Sequence, residues 1–294
     1  MALLLQLLAN GMTQGAIYAI LAIGFGLVLR TLRIFHVAYG AHFVVASYVL
    51  YALETRFVLP IWLAMAASIA ISAAVGYLLE RLFYRPFYRR NASPGVVLVA
   101  SLGLSVIVEN TIVILFGNDT KTILRGSQPT FTLGELTLTD IQLVQFLVGA
   151  VFVVSSWMVV RRLRLFRAIW ALGDEPQLVA VLGLPLWRLR ETVLTLSGVG
   201  VGVAACLTSV DLGMDPHVGM HYLLVTAVAV IIGGIDSFAG WILGAVGLAL
   251  LRSIVVWQIS SQWVSLVTFL LLIAILAFRP RGILGTRRRI EERV

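Results

Sequence analysis

Long apolar runs alternate with short polar connectors along almost the whole chain. A helix needs about 20 apolar residues to cross about 30 Å of hydrocarbon, and several runs reach that length with no charge inside them. The pattern therefore predicts an all-α polytopic membrane protein, with residues 1–294 forming a single transmembrane domain. The predicted spans are Leu3–Leu29, Ala38–Leu53, Ile61–Phe83, Gly95–Phe116, Ile141–Val160, Val193–Leu212, Tyr222–Ile232, Trp241–Trp257 and Val264–Phe278. The second and seventh are short and either cross the membrane or enter it partly, which gives eight or nine crossings.

Arginines are concentrated in every second connector. If the spans alternate in direction, all but four of the 22 basic residues fall on one side, and the exceptions are Arg56, Lys121, Arg125 and Arg252. Connectors rich in Lys and Arg tend to stay in the cytoplasm. The sequence thus predicts a multi-pass protein of the inner membrane, with its N-terminus outside and its C-terminus in the cytoplasm. The largest arginine-rich connector, residues 161–191, is then a cytoplasmic loop.

One connector on the arginine-poor side is polar and rich in Thr and Gly. It covers residues 117–140 and includes the run Phe131-Thr-Leu-Gly-Glu-Leu-Thr-Leu-Thr139. Alternation of Thr and Leu is typical of a β-strand. The run predicts either a short strand pair or a surface loop.

Composition supports the membrane class, since 60% of the residues are hydrophobic and only 12% are charged. A soluble domain of this size would need far more charge on its surface. The formal net charge of +8 could indicate a nucleic-acid partner. Arginines that set topology at span ends explain the charge better, so we expect a lipid bilayer as partner and no nucleic acid.

Candidate chemistry within the spans is scarce. Glu109, followed by Asn110, is the only carboxylate that the predicted spans place well inside the membrane. Such a residue lines a substrate path or carries a coupling proton. Alternatively, it lies nearer the outer interface than its predicted span implies. The chain has no Gly-rich loop ending in Lys-Ser/Thr for nucleotide phosphates. His217 and His221 are four residues apart without a further metal ligand, so we expect no enzyme and no metal or cofactor in this chain.

Four segments carry a resemblance to a known family. They are Asn10-Gly-Met-Thr-Gln-Gly-Ala-Ile-Tyr-Ala-Ile-Leu-Ala-Ile-Gly24, the connector from Arg167 to Pro185, Ile232-Gly-Gly-Ile-Asp-Ser-Phe-Ala-Gly240, and Phe278-Arg-Pro-Arg-Gly-Ile-Leu-Gly285. In content and order they resemble the permeases of branched-chain amino acid ABC importers, and the H-type subunit more than the second type. The resemblance covers nearly the whole chain.

The resemblance implies a permease subunit that works with several partners. These are a second permease subunit, two ATP-binding subunits that hold the ATP and Mg, and a periplasmic substrate-binding protein. The expected cargo is a branched-chain amino acid or a related small polar solute such as an amide, urea or a small carboxylate. Where the family usually has Asn-Phe-Ala-His-Gly after the first span, this chain has His36-Val-Ala-Tyr-Gly40. His36 and Tyr39 therefore join Glu109 and Asn110 as candidates for lining the translocation path.

The same resemblance implies that residues 161–191 couple the permease to the ATPases. From the residues, we expect a helix from about Asp174 to Leu182, with Pro176 in its first turn and Gly183 ending it. Asp174 and Glu175 would complement the dipole at its N-terminus. Its apolar side chains would dock in a groove on the ATPase or, alternatively, lie on lipid headgroups. Those side chains are Leu178, Val179, Val181 and Leu182.

Two rival functions make different demands on the sequence. A stand-alone secondary transporter or channel would show matched repeats in its two halves and charged pairs at mid-depth. The halves of this chain resemble each other only weakly, and the predicted spans show no such pair. An intramembrane enzyme would need a polar catalytic pair within two spans, and Cys206 with Glu109 does not make one.

Overall fold

A computed structural model describes residues 2–123, 130–133 and 136–285, and side chains for residues 6–123 and 137–285. Arg125 and the end of the basic tail, including Arg287, lie outside these ranges. The helices are α1 (Ala2–Leu32), α2 (Ala38–Thr55), α3 (Ile61–Leu78), a π-helix (Leu79–Tyr84), α4 (Arg85–Arg89), α5 (Pro94–Phe116), α6 (Asp140–Arg162), α7 (Arg164–Asp174), α8 (Pro176–Val181), α9 (Leu186–Leu212), α10 (Val218–Gly233), α11 (Phe238–Gln258), a 3₁₀ turn (Ser261–Trp263) and α12 (Val264–Phe278).

Most of these helices are membrane spans by length and apolar composition. Seven segments within the described residues qualify, and α3, the π-helix and α4 count together as one of them, Ile61–Arg89. The α10 helix is apolar but shorter, and α2 is largely buried within the bundle. The prediction of an all-α protein with about eight membrane helices is confirmed.

The polar run in residues 117–140 forms a β-hairpin. Strand β1 (Thr130–Leu133) pairs antiparallel with β2 (Leu136–Thr139). The strand-pair alternative from the sequence is therefore the correct one. Thr139 then caps α6, because its hydroxyl accepts from the Gln142 N–H at 3.3 Å while the Gln142 side chain accepts from the Thr139 N–H at 3.3 Å.

The first helix is the centre of the bundle. In its apolar window 89% of the residues are buried, against 17% for α5 and 11% for α6, and it packs most extensively against α11 and α9. Glycines allow this approach, since a Cβ at Gly15 would lie 3.3 Å from Val246 Cα and one at Gly26 only 2.5 Å from the Trp241 ring. Close helix packing through small residues is typical in lipid.

Helix ends gather on two opposite faces. On one, the basic face, Arg30 at the end of α1 lies 3.8 Å from the Asp236 carboxylate between α10 and α11. The chain after α12 also reaches this face, where Leu284 N–H donates to Gly233 O at 3.1 Å. On the opposite face, Lys121 and Met214 exchange backbone hydrogen bonds of 2.9 and 2.8 Å. These contacts group the connectors as the alternating scheme predicts.

Candidate functional site

Two helices on the basic face are formed by the connector 161–191. The first, α7, is amphipathic and buries Phe166, Ile169 and Leu172 against the bundle. The second, α8, follows after a single residue, Glu175. The connector is therefore a packed structural unit on the bundle.

Two arginines contact the end of α7: Arg30 of α1 and Arg33 of the turn after α1. Arg30 places an Nη2 atom 3.3 Å from the Asp174 carboxylate and its guanidinium 4.5 Å from the Trp170 ring. Arg33 donates to Gly173 O from Nε at 3.1 Å and Nη2 at 2.9 Å. A Cβ at Gly173 would lie 2.7 Å from Arg30 O, so this approach requires glycine. The end of α7 is thereby packed closely against the end of α1.

The predicted helix Asp174–Leu182 is wrong at its start. Asp174 ends α7, and α8 begins at Pro176. Glu175 between them is extended, with φ −146° and ψ 85°, because the residue before a proline is sterically disfavoured in the α conformation. The Asp174 carboxylate consequently pairs with Arg30 and does not begin the predicted helix.

The apolar side chains of α8 and of the turn that follows it differ in their exposure. Leu178, Val181 and Leu182 are 53%, 83% and 66% exposed, whereas Val179 is buried at 1%. Val179 therefore anchors α8 to the bundle, and sequence reasoning missed Leu184, which is also exposed. Below, the α8 surface means these exposed residues: Leu178, Val181, Leu182 and Leu184.

Gly183 ends this segment as the sequence predicts. Its φ is +72°, a conformation that glycine adopts without steric cost. Leu184 N–H donates to Val179 O at 3.2 Å, and Gly183 N–H donates to Ala180 O at 3.1 Å. The two bonds form a Schellman motif, which satisfies carbonyls at the helix end and fixes where Leu184 lies.

The first two path candidates, His36 and Tyr39, lie inside the core of the chain. Their rings pack with centroids 5.8 Å apart, and both residues are buried. His36 Nδ1 lies 2.5 Å from Tyr84 Oη, and the Tyr39 hydroxyl donates to Leu21 O at 2.8 Å. Burial lowers the pKa of His36, in the turn between α1 and α2, to about 3. This imidazole is therefore neutral at physiological pH.

The other two candidates, Glu109 and Asn110, lie on α5 toward the opposite face. The Glu109 carboxylate contacts His217 Nδ1, and His217 Nε2 lies 2.7 Å from Asn118 Oδ1. The exposed Asn110 donates to Val106 O of its own helix at 2.8 Å. The four candidates thus form two separate groups, one in each half of the bundle.

Sequence reasoning missed an ion pair within the spans. Glu80, in the π-helix, is fully buried and accepts from Arg190 Nε at 2.5 Å and Nη2 at 3.4 Å. Glu109 is therefore not the only carboxylate in a membrane helix, since Ile61–Arg89 is a continuous span. The available signals were an acid at the end of an apolar run and an arginine at the start of another. Their pairing depends on tertiary contact.

A second buried polar group joins three helices. His42 Nε2 on α2 lies 2.9 Å from Ser72 O and 3.0 Å from Ser72 Oγ on α3, and that hydroxyl donates to Gly198 O on α9 at 2.7 Å. A Cβ at Gly198 would lie 2.6 Å from Ser72 O. The dense glycines of α9 therefore serve packing within the chain at this point.

Comparison with known proteins identifies the family. The model of the family described as "Branched-chain amino acid transport system / permease component" matches residues 7–276. The chain belongs to this family. Two of the four segments that resemble the family, residues 232–240 and 278–285, meet on the basic face, where the residues after α12 bond to the end of α10.

Curated relatives of this permease family extend over nearly the whole chain. The high-affinity branched-chain amino acid transport system permease protein BraD of Pseudomonas aeruginosa is 28% identical over 98% of this chain and 97% of its own. LivH of Escherichia coli K12, with the same description, is 26% identical with the same coverage. LivM of Salmonella typhimurium is 27% identical over 94% of this chain and 69% of its own.

Proposed function

We propose that this chain is the membrane-spanning permease subunit of an ABC importer. Its cargo is a branched-chain amino acid or a related small polar solute, and separate ATPase subunits drive transport. Membership of a transport permease family and the names of the relatives support this function. In this proposal the basic face is cytoplasmic, in the inner membrane, because arginine-rich connectors are retained there.

The observation that carries the proposal is the α8 surface. Its side chains are apolar and exposed on the basic face, whereas Val179 and the contacts of α7 with α1 hold the segment in place. An apolar helix surface commonly binds in a hydrophobic groove of a partner. We therefore assign the α8 surface to docking on an ATPase subunit, and α7 to transmitting the movement of that subunit to α1.

Further partners follow from the same assignment. LivH and LivM carry the same transport-system description under two names, which supports pairing of this chain with a second permease subunit of the other type. A periplasmic binding protein would deliver the solute at the opposite face. ATP and Mg would be held by two ATP-binding subunits on the cytoplasmic side.

Leu182→Asp tests the docking role. Docking would bury an unpaired carboxylate, at a cost of several kcal/mol, so we expect ATPase subunits to be lost during purification and ATP-dependent uptake to cease. The chain itself should still insert, because Leu182 is exposed. The matched control is Ala180→Asp, which adds the same charge to an exposed position of α8, about 160° around the helix from Leu178 and Leu182.

Several results would contradict the assignment. If Leu182→Asp retains both the ATPases and uptake, the α8 surface does not dock and instead lies on headgroups. Equal losses in Leu182→Asp and Ala180→Asp would show general damage to α8. Uptake by the unmodified chain without ATP or partner subunits would favour a stand-alone transporter or channel.

A further inference from the structure

Five arginines cluster on the basic face where α4 meets the start of α9. Two of them stack on the Trp187 ring, and two more line the same cavity as Trp187. We call it the arginine pocket, and its arginines are Arg81, Arg85, Arg89, Arg90 and Arg188.

Trp187 orders part of the arginine pocket. The guanidinium carbon of Arg85 lies 4.5 Å from the centroid of the indole ring, and that of Arg89 lies 5.4 Å from it. Arg81 Nη1 donates to the Tyr77 hydroxyl at 2.5 Å. Stacked and hydrogen-bonded guanidinium groups keep most of their N–H donors available for a ligand.

Charge in the arginine pocket is only partly compensated. Among the residues that line its cavities the one acid is Glu191, whose carboxylate lies 3.4 Å from Arg85 Nη1 and is 17% exposed. Four positive charges therefore lack an acid in the lining. A concentration of arginine forks of this kind favours phosphate groups, which accept two parallel N–H bonds from one guanidinium.

The pocket consists of two adjacent cavities. The first, of about 470 Å³, is lined by Arg188 and Trp187, and the second, of about 290 Å³, by Arg89 and Arg90. Arg81 and Arg85 line both. Two anionic groups held a short distance apart could therefore share these central arginines.

The residues beside the pocket are of types that are common at a membrane boundary. Leu78 and Leu82 are 46% and 69% exposed, and they precede Arg81 and Arg85 by three residues in the same continuous apolar span, Ile61–Arg89. Tyr77 and Trp187 are residue types enriched at membrane–water interfaces. Phosphates in the cavities would thus leave acyl chains free to run along Leu78 and Leu82.

We propose that the arginine pocket binds an anionic phospholipid whose headgroup carries two phosphates, as in cardiolipin, with one phosphate in each cavity. Basic pockets beside membrane helices are suited to such headgroups. Continuity with exposed leucines favours a lipid over the acidic surface of a protein, which would not occupy the hydrocarbon side. The site shares no residue with the α8 surface and does not depend on which solute is transported.

Lipid titration by native mass spectrometry tests the site. The full chain would be purified from membranes with any subunits that accompany it, delipidated, and titrated with cardiolipin, phosphatidylglycerol or phosphatidylcholine. We expect retained adducts and a raised melting temperature with cardiolipin, weaker effects with phosphatidylglycerol, and none with phosphatidylcholine. Arg81→Gln/Arg188→Gln should raise the cardiolipin concentration for half-maximal binding by about 30-fold, the effect expected from two arginine charges near a membrane surface.

The controls separate this site from general basicity. Arg162→Gln/Arg164→Gln removes the same charge from exposed positions elsewhere on the basic face and should leave cardiolipin binding unchanged. Arg89→Gln/Arg90→Gln repeats the test if the first variant is poorly folded, as judged by its melting temperature without lipid. It should also weaken binding.

Each remaining outcome would overturn the proposal. Equal loss of cardiolipin binding in the pocket variants and in Arg162→Gln/Arg164→Gln would show that binding depends on net charge and not on this site. If phosphatidylglycerol binds as tightly as cardiolipin, the site does not require a headgroup with two phosphates. Unchanged lipid binding together with loss of a co-purifying subunit would make the arginine pocket a protein contact.

Discussion

Glu80 and Arg190 form an ion pair that the bundle encloses, with side-chain exposures of 0% and 3%. Desolvation of both charges offsets much of their attraction, so such a pair adds little net stability compared with apolar residues. Loss of one partner is different, because the remaining charge is buried without compensation. The pair therefore specifies how the π-helix and α9 fit together, and it does so within the core.

A double-mutant cycle measures this coupling. Glu80→Ala and Arg190→Ala should each destabilise the chain by about 3–5 kcal/mol, the cost of breaking a buried pair. Their combination should cost clearly less than the sum, because no unpaired charge remains. Melting in detergent is the measurement, and Asp119→Ala, at an exposed position, is the control. Additive losses would argue against the pair as a unit.

Glu109 offers a test at a second position. If its carboxylate lines the path, Glu109→Gln should change the uptake rate while the chain still folds, inserts and keeps its partners. His217→Gln removes the contacting imidazole and separates a direct effect of Glu109 from an effect of the contact. Uptake that is unchanged in Glu109→Gln would leave Glu109 as an interfacial residue.

Among the elements, α8, which we assign to docking, is stabilised by contacts outside itself. A helix as short as α8, with six residues, is not stable in isolation. Val179 attaches it to the bundle, and the Gly183 motif ends it. In the proposed function, the close packing of α7 on α1 at Gly173 would transmit the movement of the ATPase subunit.

Gly173→Ala tests that connection. The added methyl group would meet Arg30 O at 2.7 Å, so α7 must shift, and we expect uptake to fall several-fold while the ATPases remain bound. Gly247→Ala is the control, because a Cβ there meets nothing within 4 Å. ATP hydrolysis and uptake are measured together. A Gly173→Ala transporter with normal uptake per ATP would exclude α7 as the coupling element.

The whole molecule separates two chemically different faces by a bundle of apolar helices. The Arg30–Asp174 contact and the connector helices lie on the basic face, and the Lys121–Met214 pairing lies on the opposite face. In the proposed orientation these faces meet different compartments. The single cysteine, Cys206, is buried, so the molecule has little background reactivity toward thiol reagents.

Cysteine labelling in intact cells tests the orientation. Thr122→Cys should react with a membrane-impermeant maleimide added from outside, and Arg167→Cys should react only after the membrane is opened. Both positions are exposed in the structure, which makes the two variants a matched pair. The unmodified chain, carrying only Cys206, is the blank. Labelling of Arg167→Cys from outside would invert the assignment of faces.

Local sequence determined the elements of this protein. Uninterrupted apolar runs predicted the membrane helices, and Gly183 predicted the end of α8. Alternation of Thr and Leu indicated a strand pair as one of two alternatives, and the structure decided in its favour. The placement of arginines established which connectors share a face. Each of these features depends on neighbours within a few residues or on a span length, which a sequence shows directly.

Tertiary structure decided which side of each element is buried and which distant groups meet. In a membrane the lipid-facing and the buried sides of a helix are both apolar, so α1 and α5 look alike in sequence although 89% and 17% of their windows are buried. For the same reason the sequence does not show that Val179 is buried and Leu182 is exposed. The pairing of Glu80 with Arg190 and the enclosure of His36 by Tyr84 join segments far apart in the chain. Only the packed bundle brings these side chains within bonding distance. Whether two distant groups meet depends on how the helices pack, which no local sequence pattern shows.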